Sequence, residues 1–169
     1  VVTHISAATA ALTWMLIDLI TTKKPTILGI CTGAIAGLAA ITPASGVSGP
    51  VGALIIGFAS GAICWYFSIK VKTMLGYDDS LDVVGVHGVG GLVGTLLAAV
   101  VAVAALGGTE NGAENYNMGA QLFTQAKGSL FTIVFTAVVT VVILLIIKHT
   151  VGLRVDEADE SIGLDQSAH

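Results

Sequence analysis

The sequence is poor in charge. Only 11% of its 169 residues are Asp, Glu, Lys or Arg, where a soluble domain carries roughly a quarter. With 54% hydrophobic residues, that shortage excludes a water-soluble globule and places the chain in lipid. Basic residues are scarcer still, seven against eleven acidic ones, for a formal net charge of -4. No basic stripe exists to neutralise phosphates, so nucleic acid is excluded as a partner. The two cysteines, Cys31 and Cys64, both fall inside apolar runs, where they are expected to pack as small hydrophobes and not to pair or bind metal. There is no His-Glu-x-x-His run and no nucleophile set, so an enzyme is not expected, nor a cofactor or metal site. The chain has no initiator Met and no secretory signal. It opens inside an apolar segment and is expected to be a piece of a longer protein.

Long apolar runs are what it does have. Five stretches, about Val1–Thr21, Thr26–Thr42, Pro50–Ile69, Leu81–Leu106 and Leu122–Ile147, each come near the ~20 residues that a ~30 Å hydrocarbon core asks of a helix. They lack sustained period-two alternation, which excludes strands as spans. The expected fold is an all-α integral membrane protein with five transmembrane helices. Turn residues fall between the spans: Lys24-Pro25, then Pro43 to Pro50 with Gly46 and Gly49, then Gly107-Gly108. Lys23 and Lys24 follow the first span, Lys70 and Lys72 the third, Lys148 and Arg154 the fifth, while the loops ITPASGVSGP and GGTENGAENYNMG hold no basic residue. The positive-inside rule therefore puts the first, third and fifth connections in the cytoplasm. Lys127 lies on the opposite side and is expected to snorkel outward. The C-terminal tail is cytoplasmic by the same rule, acidic, and expected to be disordered until it meets a partner.

Small residues form ridges: Gly29, Gly33 and Gly37 on the second span, Ala53, Gly57 and Gly61 on the third, Gly90 and Gly94 on the fourth. Such ridges let helix backbones approach closely and serve packing. His87 is the polar anomaly. It stands eight residues after Asp79, about 12 Å along a continuous helix and so close to the bilayer midplane. Val83 lies one turn before it and Gly91 one turn after. Two readings are open: a core histidine bonded to a neighbouring carbonyl, or an imidazole facing a cavity where it accepts or relays a proton. Asp78, Asp79 and Asp82 open the same helix, and carboxylates there cap free N–H groups; they also suit the mouth of a cation path. Asp18, near Lys23 and Lys24, is expected to reach the interface and needs no special role.

The run DDSLDVVGVHGVGGLVGTLL closely resembles the tenth transmembrane helix of the ammonium transporter (Amt) family. VTHISAATAALTW is similar to the seventh, PTILGICTGAIAGLAAITPASG to the eighth, GPVGALIIGFASGAICWY to the ninth, and the last span with TVGLRVDEADESIGLD to the eleventh and the tail. Gly88 and Val89 follow the histidine where the related Rh proteins carry another pattern, which favours the Amt branch. The resemblance implies a partial Amt fold, most of the second inverted repeat plus the last helix of eleven, with a transmembrane region over 1–155 and a cytoplasmic tail over 156–169. It implies a homotrimer in the cell membrane with a pore in each subunit, conducting ammonium or ammonia, with methylammonium as an analogue.

By the same resemblance His87 is the second of two pore histidines, Val83 is a pore-lining apolar residue and Thr32 is a small hydroxyl near the inner end. Asp79 and Asp82 match acids at the inner mouth. The first pore histidine, the aromatic gate and the outer recruiting residues belong to helices that precede the seventh. Val2 stands where the family usually has Asn, and His4 is given a packing role. The tail resembles segments that help a PII-type signalling protein dock; a solvated acidic extension is the other reading. An ammonium sensor on the same fold is the alternative to transport, less favoured because no signalling domain follows Arg154.

Overall fold

The structure, a computed structural model, describes residues 1–112 and 114–167. All regular elements among them are helical. They are α1 (Val2–Thr22), α2 (Ile27–Ile41, running into a 3-10 turn over Thr42–Ala44), α3 (Pro50–Leu75), α4 (Val83–Val101), α5 (Met118–Thr150) and the short α6 (Glu157–Ile162). The first five are long and apolar enough to cross a membrane, as the sequence predicts.

Local chemistry sets the boundaries. Lys23 turns left-handed at φ 62° to end α1. Thr26 then opens α2, its Oγ1 accepting the Gly29 N–H at 2.9 Å. Pro50 occupies the first turn of α3, where its missing N–H costs nothing. Gly76, at φ 65°, stops α3. Asn117 caps α5, its side-chain oxygen accepting from the Ala120 N–H at 2.9 Å.

Two compact units make up the chain, one to Ser129 and the other from Leu130 onward. In the first, α1 packs against α2 and α3, and α4 packs on the same two helices. The glycine ridges of α2 and α3 both seat on α1. A Cβ on Gly37 would come within 2.5 Å of the Ser6 carbonyl, and one on Gly57 within 2.6 Å of the same oxygen. Ser6 Oγ returns a hydrogen bond to the Gly37 carbonyl at 3.0 Å. Such interhelical bonds average about 0.6 kcal/mol in lipid, so close packing contributes most of the cohesion.

Three expectations change here. The apolar run of α4 continues to Leu106, but the helix stops at Val101. Val103 is extended, and the segment Ala104–Leu106 is a separate 3-10 turn. The loop after it folds back: Glu110 accepts from the Ala104 N–H at 3.2 Å, and Tyr116 donates its hydroxyl to the Ala99 carbonyl at 2.5 Å. Burial and the Glu110 charge push the Tyr116 phenol above its ordinary value. Cys64 is buried as expected, whereas Cys31 is exposed on α2. His4 is likewise exposed on α1 and packs into no core. Lys127 places its ammonium 4.7 Å from the Phe123 ring centroid.

The second unit contains the later part of α5 and the tail. No described residue of α5 is buried, and its apolar residues fall on every side of the helix. The tail departs from the disorder expected of it. Arg154 grips Glu160 in a bidentate pair, Nε to Oε1 at 2.6 Å and Nη2 to Oε2 at 2.8 Å, and Glu160 lies within α6. The guanidinium holds the Glu160 carboxyl below the usual carboxylate range.

Candidate substrate path around His87

The turn that carries His87 is not α-helical. Val83–Gly88 is a π-helical stretch, and Tyr66–Val71 at the end of α3 is another. π turns arise where an extra residue is accommodated in a helix and recur at functional sites. The two stretches meet at one small contact. A Cβ on Gly85 would overlap Ser68 Oγ and lie 3.0 Å from the Ser68 amide nitrogen, so only glycine fits there. Ser68 is 1% exposed and its hydroxyl has no partner among the described residues.

Gly85 and Val86 are the inward residues of the turn. Val86 is 2% exposed and shares a buried cluster with Trp14, Ala36, Cys64 and Trp65. Cys64 Sγ points at the Val86 carbonyl, 4.0 Å away. The neighbours on either side face out: Val83 is 52% and Val84 51% exposed, and His87 and Gly88 are exposed as well. His87 forms no hydrogen bond with any described residue. Among the described residues, no neighbouring carbonyl bonds the ring. The imidazole stands on an otherwise apolar, open face.

Its place in the helix also changes. The helix begins at Val83, not at Asp79, so His87 lies four residues in, within the π turn itself. Asp79 stands outside the helix as its cap. Its Oδ1 accepts the Val83 N–H at 2.8 Å and its Oδ2 the Val84 N–H at 2.9 Å. Asp82 adopts the left-handed region at φ 54° and pairs with Lys72 at 2.5 Å. Lys72 also donates to the Asp79 carbonyl at 3.0 Å. Both acids are thus engaged in holding the turn. Asp78 is exposed.

Thr32 is half-buried on α2 and donates back to the Leu28 carbonyl at 2.9 Å. Ala36, one turn further along α2, lies in the cluster with Val86; Thr32 itself bonds Leu28 and not His87. Two features escaped the sequence. Lys72 is the cation of the Asp82 pair; the lysine itself was visible, but only as a topology marker. Asp18, given no partner by the sequence, is half-buried, and its Oδ1 accepts from Trp65 Nε1 at 2.8 Å.

The chain has counterparts among known proteins. The Ammonium Transporter Family matches over residues 1–169. This chain belongs to the ammonium transporter family. A curated ammonium transporter of Aquifex aeolicus is 45% identical over 168 residues, 99% of this chain and 39% of that protein. One from Bacillus subtilis is 38% identical over 167 residues, 99% of this chain and 41% of that one. Among solved structures, Candida albicans Mep2 superposes with a TM-score of 0.79 at 34% identity, over 94% of this chain and 36% of its own. A structure described as a sensor Amt protein gives a TM-score of 0.86 at 30% identity, over 98% and 40% respectively. This Amt-family chain spans about two fifths of the length of the curated relatives it matches. With five apolar helices and this family, it is a multi-pass membrane protein.

Proposed function

We propose that this chain forms one wall of a path for ammonium or ammonia, with His87 as its polar station and Val83 as its apolar lining. One observation carries the reading: an exposed imidazole without a hydrogen-bond partner among the described residues, on an apolar face, next to residues packed tightly enough to fix it there. A bare ammonium ion loses its hydration in such a passage and finds no charge to replace it. Ammonia is neutral and far less costly to admit. An imidazole can accept a hydrogen bond from the incoming nitrogen base and pass a proton. The apolar walls turn away hydrated sodium and potassium.

The other half of the path belongs to residues beyond this chain. A second histidine opposite His87 would complete a relaying pair, and Thr32 would serve the inner end. Asp79 and Asp82 enter as supports of the inner mouth, since the cap and the ion pair with Lys72 occupy them. The lysine distribution supports a cytoplasmic C-terminus, with residues 1–155 in the membrane region and 156–169 in the tail. We assign the whole protein to homotrimers in the cell membrane, with the tail available to a PII-type signalling protein. The likeness to a sensor Amt structure keeps ammonium sensing as a second reading; a shared fold does not choose between the two.

The test is methylammonium uptake by the intact protein in membranes, with His87→Ala beside the parent. Loss of uptake or of selectivity over potassium supports the path. A variant that keeps both removes it.

A further inference from the structure

Asp18 has no part in the path proposed above, yet it is an ionisable side chain inside a membrane helix. Such groups are costly in lipid and persist where something pairs with them. Its partner is an indole. Trp65 Nε1 donates to Asp18 Oδ1 at 2.8 Å, joining α1 to α3 across 47 residues of sequence. The other oxygen faces Gly29 of α2: a Cβ there would lie 2.6 Å from Asp18 Oδ2. The carboxylate thus sits where three helices converge.

Trp65 leads from this junction to the His87 turn. The indole is 7% exposed and is part of the buried cluster of Trp14, Ala36, Cys64 and Val86. Val86 is the residue next to His87, and its burial is what turns the imidazole outward. Tyr66–Val71, the π stretch that Gly85 leans on, begins immediately after Trp65. An indole held at its N–H end cannot rotate, and the cluster behind Val86 is then fixed. Lys70 adds a second hold, with its ammonium 5.8 Å from the Trp65 ring centroid.

We infer that Asp18 and Trp65 are positioning residues for His87: the carboxylate–indole bond sets the direction in which the π turn presents its imidazole. Neither residue touches the path. The consequence for transport rests on the function proposed above; the positioning itself does not.

The experiment uses the intact protein in membranes with two readouts. In a Cys31→Ser background, His87→Cys reports the position of the turn through its rate of labelling by a water-soluble thiol reagent. Asp18→Ala is expected to change that rate severalfold. Asp18→Asn keeps an acceptor oxygen for the indole and restores it, while Trp65→Phe removes the donor and repeats the change. Ile35→Cys, on the exposed side of α2, keeps its rate throughout. With His87 in place, Asp18→Ala lowers maximal methylammonium uptake by about tenfold, in line with the cost of small misplacements of a working group. The half-saturating concentration and the amount of assembled protein stay constant, and Asp18→Asn recovers the rate.

Unchanged labelling of His87→Cys in both Asp18→Ala and Trp65→Phe overturns the inference. So does an equal change at Ile35→Cys, which marks a general loosening. Changed labelling with normal uptake leaves the positioning intact and counts against the path. Should Asp18→Ala fail to assemble, Trp65→Phe gives the same answer.

Discussion

The two ends of α4 depart from the α-helix in different ways. At the His87 end the helix widens into a π turn, held by charge: Asp79 caps Val83 and Val84, and Lys72 pairs with Asp82. At the Val101 end it stops, and after extended Val103 a separate 3-10 turn follows, held by a glutamate side chain and a tyrosine hydroxyl on backbone groups. The difference shows where the fold concentrates its constraints. One end has to fix a side chain; the other has only to finish a helix.

Gly85→Ala should break the charged end most severely. The new methyl overlaps Ser68, and overpacking of that kind costs about 1–3 kcal/mol, read as a lowered unfolding temperature in detergent. Ser68→Gly in the same chain should recover much of the loss; no recovery would show that the two π stretches do not bear on each other. Asp79→Ala removes the acceptor of two amides and should cost about 1–2 kcal/mol. Hydrogen exchange at Val83 and Val84 should then quicken, while exchange at Val101 stays as it was.

At the other end Tyr116→Phe should cost about 1 kcal/mol, the net worth of one hydrogen bond. The pH dependence of this tie has a definite sign. The phenol is raised in the folded protein, so its contribution is complete below the ordinary tyrosine value and is lost as pH rises through the raised one. Phenolate absorbance against pH, with Tyr116→Phe as the blank, measures it. The smallest effect belongs to the tail. Glu160 is lowered by Arg154, so the clasp is complete above the ordinary carboxylate range and is lost as pH falls through the lowered value. The Arg154 Nε–H resonance should move over that window in the parent and stay put in Glu160→Gln.

The spans were legible because lipid demands unbroken apolar length, which a single sequence displays directly. Their ends were less so. Nothing polar interrupts the stretch from Val101 to Leu106, so only the extended backbone at Val103 reveals where α4 stops. His87 was legible as the one imidazole in its run, and Asp79 as a capping residue. The direction in which His87 points was not, because a π turn breaks the 3.6-residue phase on which any helical-face argument depends. The Asp18–Trp65 bond left no trace either. Its partners lie on different helices, and no periodicity links them. Lys72 shows a third kind of limit: a lysine counted for topology can also be spent on an ion pair.

A π turn holds one residue more than the α-helix would, and this suggests how such a face could arise. Removing a single codon from the Val83–Val84 pair would restore ordinary winding and swing the ring by about 100°, toward the place that Val86 now fills. A one-residue insertion in an ancestral helix is therefore enough to carry a nitrogen heterocycle out of a sealed interior into an open lane, with the surrounding framework left as it was.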